Sequence, residues 1–391
     1  MESADTGIAP GRHASNLELF LDLVFVFVVT QITSFLAENL TWAGTAKAVL
    51  LAWLAWWQWT QFTWAGSAID FDSTNRKRVM VLCMIPAVLV MAISLPQAFS
   101  SQPIWFAASY LVVQMWVLGL QGAAAWSQAE TRRSFIRYAP TAAIAPATLL
   151  LGSFFGGSTR IALWVFAGAL NVLSAYLGGR SDLAWAIDPV HFAERHALFV
   201  IISLGEVLVA IGANAQVRPP EGGMDLQSLL AIVAAVAVAG VCWWSYFAYI
   251  PRVFEHFLAH PGNRSSGRIA RDLGSFGHFP IICGVIAYAV VAKHLVQHPS
   301  GPLAVTDRGL LVGFAVLFIG GFLFIQWLVS RTLAPPRWIA IVVVALIASA
   351  AGALPGIAIV ASIGLTLGTA ALLTWRHFRH SDIARLVILE S

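Results

Sequence analysis

Residues 193–214 read AERHALFVIISLGEVLVAIGAN. After Glu194-Arg195-His196 the stretch is almost wholly apolar up to Asn214, interrupted by Ser203 and by Gly205-Glu206. As a helix rising 1.5 Å per residue it reaches about 33 Å, enough to cross a hydrocarbon layer of roughly 30 Å. Glu206 lies twelve residues beyond Glu194, about 18 Å along that helix and near its middle. A charge inside hydrocarbon costs at least a few kcal/mol, so such a group is a functional candidate by default.

The rest of the chain has the same character. Of 391 residues, 59% are apolar and only 11% charged, and the mean hydropathy is +0.77. An average soluble protein is roughly 45–50% apolar and about 25% charged. The balance excludes a soluble globular enzyme, a disordered chain and a secreted disulfide scaffold. Cys83, Cys242 and Cys283 are scattered through apolar runs and suit small buried thiols. The net charge of +4 would suggest nucleic acid in a soluble protein. Here the basic residues sit in short loops, so topology explains them and no nucleic-acid partner is expected.

A ruler of about 20 apolar residues gives twelve expected spans: 17–38, 46–69, 79–99, 104–126, 137–155, 160–178, 193–214, 226–250, 276–297, 308–330, 338–354 and 356–375. Pro140 and Pro146 are expected to kink the fifth. No basic segment precedes the first span, which opens with Glu18 and Asp22, so it is expected to remain as an anchor rather than be cleaved. Of 23 basic residues, 18 fall on one side of this topology: Arg12, Arg76, Lys77, Arg78, Arg132, Arg133, Arg137, Arg180, Arg195, Arg252, Arg264, Arg268, Arg271, Arg331, Arg337, Arg376, Arg379 and Arg385. Lys47, Arg160, Arg218, Lys293 and Arg308 fall on the other. The positive-inside rule then puts both termini in the cytoplasm, with the chain in the inner membrane.

The two halves match weakly but in order. Trp56-Trp57 answers Trp243-Trp244, Pro86 answers Pro280, Arg137-Tyr138 answers Arg337-Trp338, and Glu18 answers Glu194. Six spans per unit would give both units one orientation, the parallel-repeat arrangement of many secondary transporters. The expected fold is an all-α integral membrane protein of about twelve transmembrane helices in two parallel six-helix repeats. The expected units are a cytoplasmic segment 1–16, a first repeat 17–180, a second repeat 181–376 and a cytoplasmic tail 377–391.

Several side chains are candidates for function. Glu18 and Asp22, four residues apart, share a helical face and call for a cation, for which Arg12, Arg195 and His196 are available. The cluster suits either a proton entry site or an ion-pair lock between the repeats. Glu206, with Gly205 and Gly212 expected to admit a neighbouring helix, suits either a proton carrier or a hydrogen-bonded lock. His191, Glu194 and His196 lie close together, but their spacing matches no helical zinc pattern. Asp70 and Asp72 could hold a metal against a diphosphate or simply balance the basic residues 76–78. Five tryptophans between Trp53 and Trp64 exceed what an interfacial belt needs. Trp53, Trp57 and Trp64, with Trp243 and Trp244 of the second half, are expected to line an aromatic cavity for an organic cation or a hydrophobic substrate.

The segments ELFLDLVFVFVVTQ (residues 18–31) and HFAERHALFVIISLGE (residues 191–206), with Trp243-Trp244 and His278-Phe279-Pro280, resemble the low temperature requirement protein A (LtrA) family of bacterial polytopic membrane proteins. Leu21 and Ala197 stand where family members typically carry Phe and often carry Gly. The resemblance implies the membrane class and marks Glu18, Asp22, Arg195 and Glu206 as positions of the family pattern. It brings no biochemical activity with it. The function expected from the residues is proton-coupled secondary transport of a small organic substrate, with no cofactor, membrane lipid as partner and the oligomeric state open. The alternatives are an intramembrane enzyme acting on a lipid or isoprenoid, and a structural, stress-adaptive membrane protein.

Overall fold

The computed structural model describes residues 11–126, 129–178, 187–215, 225–262, 265–350, 352 and 354–379. Arg180, Arg218, Arg264 and Arg385, the outermost residues of both expected terminal segments and the expected repeat boundary at 180/181 lie outside these residues. The described chain is helical, and among the described residues there is no strand beyond an isolated bridge between Pro302 and Pro355.

The helices are α1 (Asn16–Glu38), α2 (Trp42–Ala68), α3 (Asn75–Ser94), α4 (Pro103–Ala125), α5 (Ala129–Ser153), α6 (Gly157–Gly178), α7 (Pro189–Ala215), α8 (Leu226–Phe247), α9 (Ile250–Ala259), α10 (Ser266–Ile269), α11 (His278–Gln297), α12 (Val305–Ser330), α13 (Pro335–Ala350) and α14 (Gly356–Arg379). Each expected span corresponds to one of these helices. Among the described residues nine stretches are long and apolar enough to cross a membrane: α1, α3, α4, α6, α7, α8–α9, α10–α11, α12 and α14. The other three depart for local reasons. Gln58, Thr60, Gln61 and Thr63 dilute α2, which is largely buried inside the bundle. The start of α5 carries Glu130, Arg132, Arg133 and Arg137, and α13 has only 16 residues. Despite Pro140 and Pro146, α5 runs unbroken.

Caps fix where the helices begin. Ser15 and Glu18 form a reciprocal capping box on α1, while Thr41 and Thr74 cap α2 and α3. Asp225 caps α8 by accepting from Ser228 N at 2.7 Å, and hydrogen bonds from the Ser228 side chain and then from its backbone hold its carboxyl below the usual carboxylate range. Leucines and phenylalanines such as Phe20, Leu23 and Leu365 stand exposed on outer faces, as helices facing lipid require. By contrast, α11 is buried on nearly every side.

Within the first half, α1 packs on α2 and α3, α3 on α4, α4 on α5, α5 on α6, and α6 returns to α2. Within the second, α7 packs on α8 and α11, α11 on α12, α12 on α13, α13 on α14, and α14 returns to α8. The halves meet where α1 and α2 lie against α7 and α11. Tight approach between helices occurs on the α11–α12 pair: a Cβ on Gly284 would lie 2.8 Å from Phe318 N, and one on Gly321 only 2.5 Å from Ile281 Cγ1. Gly205 and Gly212 do not serve this role. A Cβ on either would meet nothing within 4 Å, because both point away from the helices that pack on α7.

Candidate functional site

The end of α1 that begins at Asn16 is tied to α2 and α7 before any charge enters the bundle. Arg12 N donates to Asp188 Oδ2 at 2.8 Å, and its guanidinium donates to Gly66 O and lies 3.5 Å from Asp70 Oδ1. Glu194 faces this outer segment, accepting from Ala14 N at 2.8 Å and lying 3.2 Å from His13 Nδ1. Arg12 and Glu194 therefore anchor the start of the first helix and do not reach the acids inside.

One turn further in, two acids of α1 face a histidine and an arginine of α7. Glu18 Oε1 accepts from His191 Nε2 at 2.9 Å. Asp22 takes the Arg195 guanidinium on both oxygens, at 2.9 Å to Oδ1 and 2.8 Å to Oδ2. Trp59 of α2 donates to the same Oδ1 at 2.9 Å. All four ionisable side chains are essentially inaccessible, between 0% and 1% exposed. The Nη2–Oδ1 contact is a charge-assisted hydrogen bond, the Nη1–Oδ2 contact an ion pair without hydrogen-bond geometry, and the faces of Trp59 and Phe62 flank the guanidinium. Of the cations offered by the sequence, Arg195 answers Asp22, while Glu18 is answered by His191, which was not among them, and not by His196.

His196 belongs to a second layer. Its Nδ1 donates to Phe192 O at 2.8 Å, which leaves Nε2 as the lone-pair nitrogen, buried and without a partner. Its ring centroid lies 5.0 Å from that of His278. His278 Nδ1 donates to Leu273 O at 2.7 Å, and its Nε2 accepts from Tyr246 at 2.8 Å. Leu273 O is free to accept because Ala270–Phe276 is a π-helical stretch whose wide turn releases carbonyls from the ladder. Ser275 O of the same stretch accepts from Trp56 at 2.7 Å.

Glu206 lies deeper on α7, about 25 Å from Pro189 and 13 Å from Ala215 along the helix. It is 2% exposed and accepts a hydrogen bond from Thr30 of α1. Lys293 of α11 is the cation acting on it. Three polar contacts thus stitch α1 to α7 along the seam: Glu18–His191, Asp22–Arg195 and Thr30–Glu206.

A small cavity of about 40 Å³ opens beside the seam, lined by Trp57 and Trp64 of α2, Gln61, Gln121, Tyr138, and Arg271 and Ser275 of the wide stretch. Tyr138 donates to Gln61 Oε1, and Gln121 Nε2 donates to Gln61 O at 3.1 Å. The indole N–H of Trp57 and Oε1 of Gln121 are buried with no partner. Trp53 flanks this cavity, edge-on to Phe279 with ring centroids 5.0 Å apart. Trp243 and Trp244 do not join it. They are 48% and 47% exposed on the outer face of α8, because the buried face of that helix is taken by Val238, Cys242 and Tyr246.

Asp70 and Asp72 do not converge either. Asp70 faces Arg12, and Asp72 Oδ1 accepts from Arg78 Nε at 2.9 Å. Among the described residues no three His, Cys, Asp or Glu side chains form a metal-binding group. A separate apolar groove of about 620 Å³ lies between α1–α2 and α11–α12, lined by residues such as Leu36, Val49, Ile286 and Leu310.

Sequence reading alone missed His191 as the partner of Glu18, and Gln121, Tyr138, Arg271 and Ser275 as cavity walls. Polar residues within otherwise apolar runs were the available signal for Gln121. Arg271 and Ser275 gave none, because only the wide turn brings them to α2.

Membrane-length helices around a seam of buried charge define a polytopic helical membrane protein. The chain belongs to the bacterial low temperature requirement A protein (LtrA) family, whose model matches residues 13–374. An uncharacterized protein of Rhizobium meliloti is 26% identical over 339 residues, a stretch covering 82% of this chain and 78% of that protein. No solved structure matches the chain significantly.

Proposed function

We propose that this protein is a proton-coupled secondary transporter of a small aromatic or heterocyclic organic anion. It is built from two like-oriented six-helix repeats, 17–180 and 181–376, in the inner membrane with both termini in the cytoplasm. The observation that carries the reading is the α1–α7 seam, where the two halves are held together by ionisable groups in hydrocarbon. A static scaffold gains little from such pairs, since well-packed apolar residues serve stability as well or better. An interface that must switch partners gains a two-state element that a proton can bias. The similar neighbour order in the two halves supports the repeat assignment, although α2 packs on α4 and α8 on α11 without close counterparts in α8–α12 and α2–α3.

In this reading Glu206 is the proton carrier, exchanging its Thr30 contact as the seam rearranges. Arg195–Asp22 and His191–Glu18 gate the cytoplasmic end, and His196, His278 and Tyr246 line the route between gate and cavity. The substrate binds against Trp57 and Trp64. Among the described residues the cavity wall holds one guanidinium, that of Arg271, which Asp272 Oδ1 already pairs at 2.7 Å, and no carboxylate, so an anion that shares this guanidinium fits it better than the organic cation suggested by tryptophan content alone. The unpartnered Trp57 N–H supplies a further donor.

The test is proton movement in pyranine-loaded proteoliposomes challenged with matched panels of aromatic carboxylates and aromatic ammonium compounds. A carboxylate-driven change in internal pH that Glu206→Gln abolishes is the expected result. If no compound of either charge moves protons, or the variant responds like the wild type, the proposal is wrong.

A further inference from the structure

The apolar groove between α1–α2 and α11–α12 has a cause in the sequence. Small residues stand where these helices would otherwise close on one another: Ala48 and Ala52 on α2, Ala287 on α11, and Gly309 and Gly313 on α12. A Cβ on either glycine would meet nothing within 4 Å. Both α1 and α12 pack on α11, which forms the floor and lines the groove with Cys283, Ile286 and Ala287. At about 620 Å³ the groove has the size of a small-molecule site, roughly 300–1,000 Å³.

Its position and lining specify the occupant. The rim, formed by Thr41, Trp42, Val305 and Thr306, lies at the end of the bundle opposite the arginine-rich loops. From Val305 the groove follows α12 for twelve residues to Leu317, about 18 Å. Half of a hydrocarbon layer of roughly 30 Å is about 15 Å, so the groove runs from headgroup level to the middle of the bilayer. Among the described residues no charged side chain lines it. The charged neighbours in sequence turn away: Asp307 Oδ1 lies 2.6 Å from His294 Nδ1, and Arg308 donates to Ala348 O at 3.2 Å. Apart from the Trp42 indole and the Cys283 thiol, the polar side chains of the lining are the hydroxyls of Thr41, Thr45 and Thr306 towards the rim. Water gains no hydrogen bonds against the apolar walls below them, whereas hydrocarbon loses none. Trp42, 93% exposed, stands at the rim as interfacial tryptophans do.

We propose that this groove binds one chain of a lipid with a small uncharged headgroup, of the diacylglycerol type. The head sits at the threonine rim and the chain lies against Ala52, Ala287 and Gly313. The walls come from both halves, so the occupant touches α1–α2 and α11–α12 at once, whereas annular lipid rests on one outer face. A charged headgroup finds no counter-charge in the lining. None of the ionisable groups of the α1–α7 seam lines the groove, and the site stands independently of the transport reading.

The test uses the full-length chain in phosphatidylcholine nanodiscs, irradiated with three probes that share one diazirine-bearing acyl chain: a diacylglycerol, a phosphatidylcholine and a phosphatidylglycerol. Peptide mass spectrometry maps the crosslinks. The diacylglycerol probe is expected to mark Cys283, Ala287 and Leu310, to exceed both phospholipid probes there, and to be displaced by unlabelled diolein. Marks on Leu173 and Tyr176, exposed on the outer face of α6, report annular lipid and should be neither displaced nor dependent on headgroup. Gly313→Leu fills the open space and is expected to lose the groove marks while keeping those on α6. Groove marks that diolein does not displace, or that are equal for all three probes, reduce the groove to annular lipid and overturn the site. Stronger groove marks from the phosphatidylglycerol probe overturn the uncharged headgroup, and marks that persist in Gly313→Leu overturn the placement of the chain. The displacement experiment uses the wild-type chain, so it decides the matter even where the variant does not fold.

Discussion

Breaking the Asp22–Arg195 pair is the most informative perturbation of the seam. Both side chains are inaccessible, and the two contacts of 2.8 and 2.9 Å bring the charge centres to within about 4 Å. At an effective dielectric near 20 that separation corresponds to about 4 kcal/mol of attraction. Removing one partner of such a pair costs about 3–5 kcal/mol, because the other charge is left buried. Asp22→Asn strands Arg195, and Arg195→Met strands Asp22 with Trp59 as its remaining donor. The double variant strands neither, so its loss should fall well below the sum of the two, with a coupling of at least about 2 kcal/mol. Reversible unfolding in mixed detergent and dodecyl sulfate gives the free energies. Reactivity of the buried Cys242 and Cys283 reports the transition, with the exposed Cys83 replaced beforehand. Additive single losses, with a coupling under about 0.5 kcal/mol, would refute a closed charge pair between the halves.

Gly284→Ala forces a methyl against the Phe318 backbone and should destabilise the bundle by about 1–3 kcal/mol, whereas Gly205→Ala, which meets open space, should change the unfolding midpoint little. Trp57→Phe removes the cavity's unpartnered N–H while keeping an aromatic face. It should weaken binding of an aromatic carboxylate by about 1 kcal/mol, and Arg271→Gln by more, as isothermal titration would record. Cysteines placed singly at Ser73 and Ser300 on a cysteine-free background should label from opposite sides of the membrane. Ser73, beside Arg76, Lys77 and Arg78, should react from the cytoplasm.

Hydrophobic run length alone located every long helix, because a segment that must satisfy its own backbone in lipid leaves an unambiguous trace. The polar seam was also legible in part: Glu18, Asp22, Arg195 and Glu206 stand out as charges in apolar stretches. What the sequence hid is whatever depends on rotation and neighbours. Periodicity places Gly205 on a stripe but does not say that the stripe is unoccupied. The tryptophans at 243 and 244 match those at 56 and 57 in order, yet α8 turns them outward. The amphipathic α9 and the wide turn at Ala270–Phe276 follow from packing on α7 and α2, and with them come the positions of Ser275 and Arg271. Arg337 counts among the basic residues expected in short loops, and only the fold shows it buried at 5% exposure.

The central claim is that Glu206 links proton movement to substrate movement across the α1–α7 seam, and it is tested most directly by separating exchange from accumulation. Once a transported carboxylate is in hand, Glu206→Gln should still exchange labelled for unlabelled substrate across proteoliposomes at equal pH. It should fail to concentrate that substrate when a pH gradient is imposed. A variant that accumulates substrate down the proton gradient as well as wild type would contradict the account.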